Sequence, residues 1–244
     1  MSAWAQRMLR GVGDVVFPPT CVHCQGIVEE GELRYVCVPC SRKISVVKSP
    51  HCSTCGYPYF GEVGGERMCP HCQDLTPVFG EGRTAVLSKG PARSLVLALK
   101  YHHGLHALKD METLFRRADE LTSWVRDAIL VPVPLHPRKE RERGFNQSLL
   151  IAQCLARAAG GETRVEEILR RVIDTVSQTH HDKETRLANL KNAFALRGGA
   201  AITADHHYIL VDDVFTTGST LNSCALVLRR AGSLNLNVVT FGHG

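Results

Sequence analysis

Two sets of residues in this chain have the types and spacing to do chemistry. The first is the run Ile209-Leu210-Val211-Asp212-Asp213-Val214-Phe215-Thr216-Thr217-Gly218-Ser219-Thr220, in which an apolar stretch delivers two acids and then a hydroxyl-rich turn. An apolar strand there would carry the turn to the carboxyl edge of a sheet, where open α/β folds hold their ligands. Thr216, Thr217, Gly218, Ser219 and Thr220 then offer hydroxyls and backbone N–H groups at a helix start, where the local field favours an anion such as a sugar phosphate. Gly218 lets the backbone approach closely, because no side chain intervenes. Asp212 and Asp213 would repel a phosphate. Carboxylates are acceptors, so the pair suits the two hydroxyls of a ribose and can help locate a hydrated magnesium ion. A strand ending in an acidic helix cap is the plain alternative, but a cap calls for one such side chain, not two acids and four hydroxyls. No lysine follows in Walker spacing, which removes a P-loop nucleotide hydrolase.

The second set is thiols. Eight of the ten cysteines fall in four CxxC pairs, Cys21/Cys24, Cys37/Cys40, Cys52/Cys55 and Cys69/Cys72. A CxxC turn lets two thiolates converge on one ion, and two such turns supply the four sulfurs of a closed tetrahedral zinc site. Four turns make two sites. With no open coordination position, these zincs have a folding role. The spacing Cys21-x2-Cys24-x12-Cys37-x2-Cys40 is nearly repeated as Cys52-x2-Cys55-x13-Cys69-x2-Cys72, which favours sequential pairing into two stacked ribbons; interleaved pairing would use the same ligands. Redox-active CxxC is the rival, and four copies without thioredoxin-like surroundings count against it. Cys154 and Cys224 fall in helical stretches and read as small core residues. His102, His103 and His106 lack a thiolate or carboxylate frame, and His23 and His71 sit in turns whose thiols already complete a site.

The rest of the chain must position these groups. Trp4, Met8, Val12 and Val15 recur at helical spacing before Pro18 and Pro19, so residues 1–20 read as an amphipathic helix and its exit. Residues 21–78 are glycine- and proline-punctuated and poor in helical pattern, a segment that needs metal to fold. From residue 79 to 244 the pattern alternates: strands at Thr84 to Leu87, Ile129 to Pro134, Tyr208 to Val211 and Val238 to Phe241, with helices opening at Pro91 and over Lys109 to Val125, Ser148 to Ala159 and Ser219 to Ala231. Strands separated by helices argue for an α/β fold with a mainly parallel sheet flanked by helices. The longest apolar runs fall far short of the roughly 20 residues of a membrane span, and the first 16 residues lack the apolar core and cleavage site of a secretory signal. A cytoplasmic protein is expected. Residues 1–80 hold seven charges of each sign, so the whole net charge of +5 lies in residues 81–244, a bias that suits an anionic ligand.

One more segment carries cations at a strand end. Val131-Pro132-Val133-Pro134 leads into Arg138, Lys139, Arg141 and Arg143, and closes with Gly144-Phe145-Asn146-Gln147. Guanidinium forks fit phosphate oxygens, so the segment suits a pyrophosphate; a charged surface loop is the alternative.

These motifs together resemble two known patterns. The acidic pair with Thr-Thr-Gly-Ser-Thr resembles the 5-phosphoribosyl-1-pyrophosphate (PRPP) motif of type I phosphoribosyltransferases. Pro-Val-Pro-Leu followed by Arg-Gly-Phe-Asn-Gln, with Leu99-Lys100-Tyr101, Thr175-x-x-Gln178, Arg186-x-x-Asn189 and Ala193-Phe194, is similar to the ComF (competence protein F) family, which joins a cysteine-rich amino terminus to a phosphoribosyltransferase-like domain. The resemblance covers nearly the whole chain. It implies a type I phosphoribosyltransferase fold behind a double zinc ribbon, PRPP bound with magnesium, and a pyrophosphate loop within 131–147 that contributes Arg138, Arg143, Asn146 and Gln147. It also implies a mobile loop within 175–189 that brings Gln178, Lys183 and Arg186 over the site, where Lys183 and Arg186 join Asp212 and Asp213 in catalysis. Two functions follow: a magnesium-dependent phosphoribosyltransferase of unidentified acceptor, or a non-catalytic PRPP-sensing or single-stranded-DNA-binding protein working with DNA-uptake proteins in natural transformation.

Overall fold

In the computed structural model, residues 18–60, 69–101, 104–172 and 193–244 are described. Seven strands and seven α-helices occur among them. The ribbon segment contributes only the short helix α1 (Val38–Ser41) and a 3-10 turn (Pro70–Cys72). The larger unit then runs β1 (Gly82–Leu87), α2 (Gly90–Tyr101), α3 (Ala107–Arg117), α4 (Asp119–Trp124), β2 (Ile129–Pro132), α5 (Pro137–Arg143), α6 (Gln147–Ala159), β3 (Arg164–Val165), β4 (Leu169–Arg171), β5 (Phe194–Leu196), β6 (His207–Phe215), α7 (Ser219–Arg230) and β7 (Asn235–His243). The expected amino-terminal helix lies outside the described residues.

Five strands form one sheet in the order β1-β7-β6-β2-β3, and every pairing in it is parallel. Tyr208 to Val211 are all buried, as a strand covered on both faces requires. Alternation then sorts the core into two layers. Leu130, Ile209, Val211, Val239 and Phe241 pack under α2, α3 and α6. Ile129, Val131, Tyr208, Leu210 and Val238 pack under α7 and the antiparallel pair β4–β5.

The cysteine segment straddles the β1 edge. Its first half joins the former layer through Val28, Leu33 and Val36, and its second half joins the latter. Ser45 to Val47 cover the outer edge of β1, where Val47 N–H donates to Ala85 O at 2.9 Å and Leu87 N–H to Ser45 O at 3.0 Å. An edge so capped is closed to pairing with another chain. Gly56 and Gly82 let the backbones meet: a Cβ on Gly82 would stand 2.1 Å from Thr54 O, and one on Gly56 2.5 Å from Thr84 N. Buried Asp110 fastens the first half to α3, accepting from the backbone N–H groups of Arg34 and Tyr35, each at 2.8 Å.

The sequence reading differs from this fold in particulars. Lys109 to Val125 is two helices, broken at Ala118, where φ −91 and ψ 64 leave the helical region. The basic segment after β2 is not a loop: Pro137 to Arg143 form α5, held by Pro at its first turn and ended by Gly144 at φ 84. Short strands β3, β4 and β5 escape a reading based on long apolar runs. No described helix is long and apolar enough to cross a membrane.

Candidate functional site at the sheet switch point

The chain leaves β2 for β3 in one direction and β6 for β7 in the other, so a crevice opens between the carboxyl ends of these two neighbouring strands. Ligands of open α/β sheets bind at such a switch point. The turn from Thr216 to Thr220 lies on one side of it and the segment Val133 to Gln147 on the other.

Gly218 adopts φ 70 and is the N-cap of α7, a 12-residue helix. A left-handed residue is needed where strand turns abruptly into helix. A Cβ there would also stand 2.6 Å from Phe215 Cζ and 2.8 Å from Leu75 Cδ2, so glycine is required for packing beneath the turn. Thr217 Oγ1 and Ser219 Oγ are 3.0 Å apart. Together with Asp212 and residues 214–221 the turn encloses a small cup of ≈ 30 Å³.

The two acids of β6 have different surroundings. Asp213 is buried and pairs with Lys100 Nζ at 2.8 Å. Asp212 is half-buried; its Oδ1 accepts from Ser148 Oγ and from the Asp213 N–H, both at 2.9 Å. Burial, followed by the charge of Asp213, raises Asp212 to about 7, against the opposing pull of these hydrogen bonds and Lys100. A carboxylate in that condition is a hard oxygen donor short of positive charge, which fits magnesium.

Across the crevice, Asn146 is buried and caps α6, accepting from Ser148 N–H at 3.1 Å and donating to Val133 O at 3.1 Å. Its amide thereby sets the position of Ser148. Gln147, also buried, accepts a short hydrogen bond from Arg143. Arg138 is largely exposed and pairs with Glu142 at 2.9 Å. Lys100, Tyr101, Lys139, Glu142 and Arg143 line a recess of ≈ 340 Å³. A second recess, of ≈ 300 Å³, adjoins Asn146 and Pro134 and receives Arg170, Arg171 and Arg197. Gln178, Lys183 and Arg186 lie outside the described residues.

Lys100 is the residue for which the sequence offered a clue without a role. Its place in Leu99-Lys100-Tyr101 marked a resemblance, but only the fold brings the end of α2 to Asp213. Ser148 gave no clue at all.

The thiols form two quartets, Cys21/Cys24/Cys37/Cys40 and Cys52/Cys55/Cys69/Cys72, each with its ligand atoms within 4.8 Å of one another. The pairing is therefore sequential. Burial and crowding by neighbouring thiols push Cys40 and Cys72 up to about 12, so four thiolates coexist there only around a cation, as zinc supplies. Cys154 and Cys224 are buried away from both quartets.

Residues 12–73 match the family model of the double zinc ribbon domain. The chain is 31% identical over 209 residues to DNA utilization protein YhgH of Escherichia coli (strain K12), spanning 83% of this chain and 88% of that one. It belongs to the ComF family. Competence protein F of Haemophilus influenzae is 29% identical over 222 residues, covering 83% of this chain and 94% of its own length. Bacillus subtilis competence protein ComFC is 24% identical over 203 residues, covering 81% and 79%. Among solved structures, a Staphylococcus aureus hypoxanthine phosphoribosyltransferase aligns with 55% of this ComF chain and 62% of its own at 14% identity and a TM-score of 0.36. A Pyrococcus horikoshii purine phosphoribosyltransferase aligns with 54% and 69% at 13% and 0.33. Superpositions this loose carry no argument; the parallel sheet, its switch point and the motif there do.

Proposed function

We propose that this ComF protein binds PRPP at the switch point and transfers its phosphoribosyl group to an acceptor not yet identified. The observation that carries the reading is the placement of Asp212 to Thr220: a hydroxyl-rich turn at the start of a long helix, with the acid pair just before it, on the crevice between β2 and β6. The 5-phosphate would meet the amides of residues 216–220, and the ribose hydroxyls would donate to the acids. Lys100, Lys139 and Arg143 supply cations where a pyrophosphate would lie. Magnesium, bound with the substrate, would neutralise pyrophosphate oxygens. In the transfer the bond from C1 to the pyrophosphate oxygen breaks with its electron pair going to pyrophosphate, and the acceptor forms the new bond to C1 and loses a proton. No side-chain nucleophile is required, since donors that meet the leaving charge supply the rate. Lys183, Arg186 and Gln178, on the segment joining β4 to β5, would close over the site and exclude water.

The assay is pyrophosphate release from PRPP and magnesium with a panel of bases, amines and nucleotides. Release that Asp213→Asn abolishes supports the reading; release unchanged by that substitution refutes it. A second reading, single-stranded-DNA binding without turnover, is favoured by the arginine-lined recess at Arg170, Arg171 and Arg197 and by the name DNA utilization protein carried by a relative. It calls for oligonucleotide binding that falls steeply with salt and PRPP binding without release.

A further inference from the structure

We infer that the second zinc ribbon is the floor of the phosphate turn, so that the metal quartet Cys52/Cys55/Cys69/Cys72 governs sugar-phosphate affinity while the first quartet does not. The inference rests on the proposed reading of the turn as a sugar-phosphate site. Two separate lines run from that quartet to the turn.

The first passes through the chain that leaves it. Leu75 N–H donates to Cys72 O at 3.0 Å, so the turn that closes the quartet also fixes Leu75. Leu75 in turn packs against Gly218, with Cδ2 2.8 Å from where a Cβ would be. Asn222, one helical turn beyond Gly218, then stitches the segment down: its Oδ1 accepts from Val78 N–H at 2.8 Å and its Nδ2 donates to Thr76 O at 2.9 Å. Asn222 N–H itself donates to Gly218 O at 2.8 Å. One side chain therefore ties the ribbon's exit to the first turn of α7. Farther along that helix, Arg229 Nε donates to Val78 O at 2.8 Å.

The second line is a stack of rings. His71, between the ligands Cys69 and Cys72, stands 4.5 Å from Tyr57 and 5.0 Å from His243, and His243 stacks on Phe215 at 5.3 Å with only 17° between planes. Phe215 ends β6 and is the residue from which the phosphate turn departs. Interiors are close-packed, so a displaced ring has nowhere to go without moving its neighbours.

The first quartet has other attachments. It reaches α3 through Asp110, β1 through Val47 and Ala85, and Arg117 through Glu32. Among the described residues, none from 18 to 49 hydrogen-bonds to residues 212–222. The two zinc ribbons, alike in sequence, thus have different duties: one clamps the outer helices, the other supports the site. Asn222 and Leu75 are positioning residues, since they act through the turn and not on a ligand.

The test uses the full zinc-loaded chain. Ribose 5-phosphate affinity is measured by calorimetry, backbone exchange of residues 216–220 by mass spectrometry, and zinc content by metal analysis, in Asn222→Ala, Asn222→Asp and Asp110→Asn. With two zinc equivalents retained, Asn222→Ala should weaken ribose 5-phosphate about tenfold and speed exchange of the turn by a similar factor, the loss of two hydrogen bonds. Asn222→Asp, which keeps the acceptor and loses the donor, should fall between. Asp110→Asn should leave both within about twofold. Leu75→Ala, which removes the floor without touching a polar group, should reproduce Asn222→Ala. Wild-type exchange and affinity in both Asn222→Ala and Leu75→Ala would overturn the inference, as would an equal effect from Asp110→Asn. Should the wild type bind no ribose 5-phosphate, the reading of the turn fails, while exchange of residues 216–220 still decides whether the ribbon supports it.

Discussion

Replacing Lys100 by methionine removes one ammonium and keeps most of the apolar stem. The structure gives the size of the effect. Lys100 Nζ lies 2.8 Å from Asp213 Oδ2, the lysine side chain is 24% exposed and the aspartate 7%. At that separation the gross attraction is about 6 kcal/mol for an effective dielectric near 20, and most of it offsets the cost of taking both charges out of water. Breaking such a pair in a sealed interior costs about 3–5 kcal/mol; water reaching the lysine end lowers this to about 2 kcal/mol. In an Asp213→Asn background the carboxylate charge is already gone, so adding Lys100→Met strands no charge and should cost only about 0.5 kcal/mol. Urea unfolding of wild type, both single variants and the double variant at pH 8 measures the coupling, expected near 1.5 kcal/mol. A coupling below about 0.5 kcal/mol would mean that the pair behaves as an exposed surface contact, and the case for a charged, buried acid at the heart of the site would fall.

Asp212→Asn should stabilise the ligand-free protein at pH 8 and leave it unchanged near pH 3.5. The folded-state value near 7 lies above the ordinary aspartate value, so the native state holds the extra proton and the wild type loses stability as pH rises through that window, by about 1.4 kcal/mol for each unit; thermal unfolding against pH checks it, and a variant no more stable at pH 8 contradicts it. Gly218→Ala meets both a positive φ and a contact of 2.6 Å with Phe215, and should lower stability by about 1–3 kcal/mol by urea unfolding. Chelation should release two zinc equivalents per chain and, by freeing Ser45 to Val47 from β1, expose an edge that aggregates, followed by light scattering. Arg170→Gln with Arg197→Gln should flatten the salt dependence of oligonucleotide binding by about two phosphate contacts and leave ribose 5-phosphate affinity unchanged.

The parts of this account that were legible in the sequence are the local ones. Paired thiols at fixed spacing, an apolar run ending in two acids and a Thr-Thr-Gly turn each carry their chemistry within a few residues, and the near-equal spacing of the cysteine units pointed to the sequential pairing that the quartets display. What stayed hidden depends on the sheet order. Lys100 and Asp213 are more than a hundred positions apart and meet only because α2 ends beside the carboxyl end of β6; Ser148 finds Asp212 only because Asn146 caps α6 there. The helical state of Pro137 to Arg143 was masked by charge, since a helix with no buried residue shows no apolar period. The strands β3, β4 and β5 are two or three residues long, too short for alternation to register. The contact between the second ribbon and α7 was equally invisible, because Asn222 reads as an ordinary helix residue until Thr76 and Val78 are seen beside it.

The most direct measurement of the central claim is the structure of the zinc-loaded protein with ribose 5-phosphate and magnesium. The account predicts phosphate oxygens against the backbone N–H groups of residues 216–220 and the ribose hydroxyls at Asp212 and Asp213. A ligand seated instead among Arg170, Arg171 and Arg197, with the turn above Gly218 empty, would contradict it.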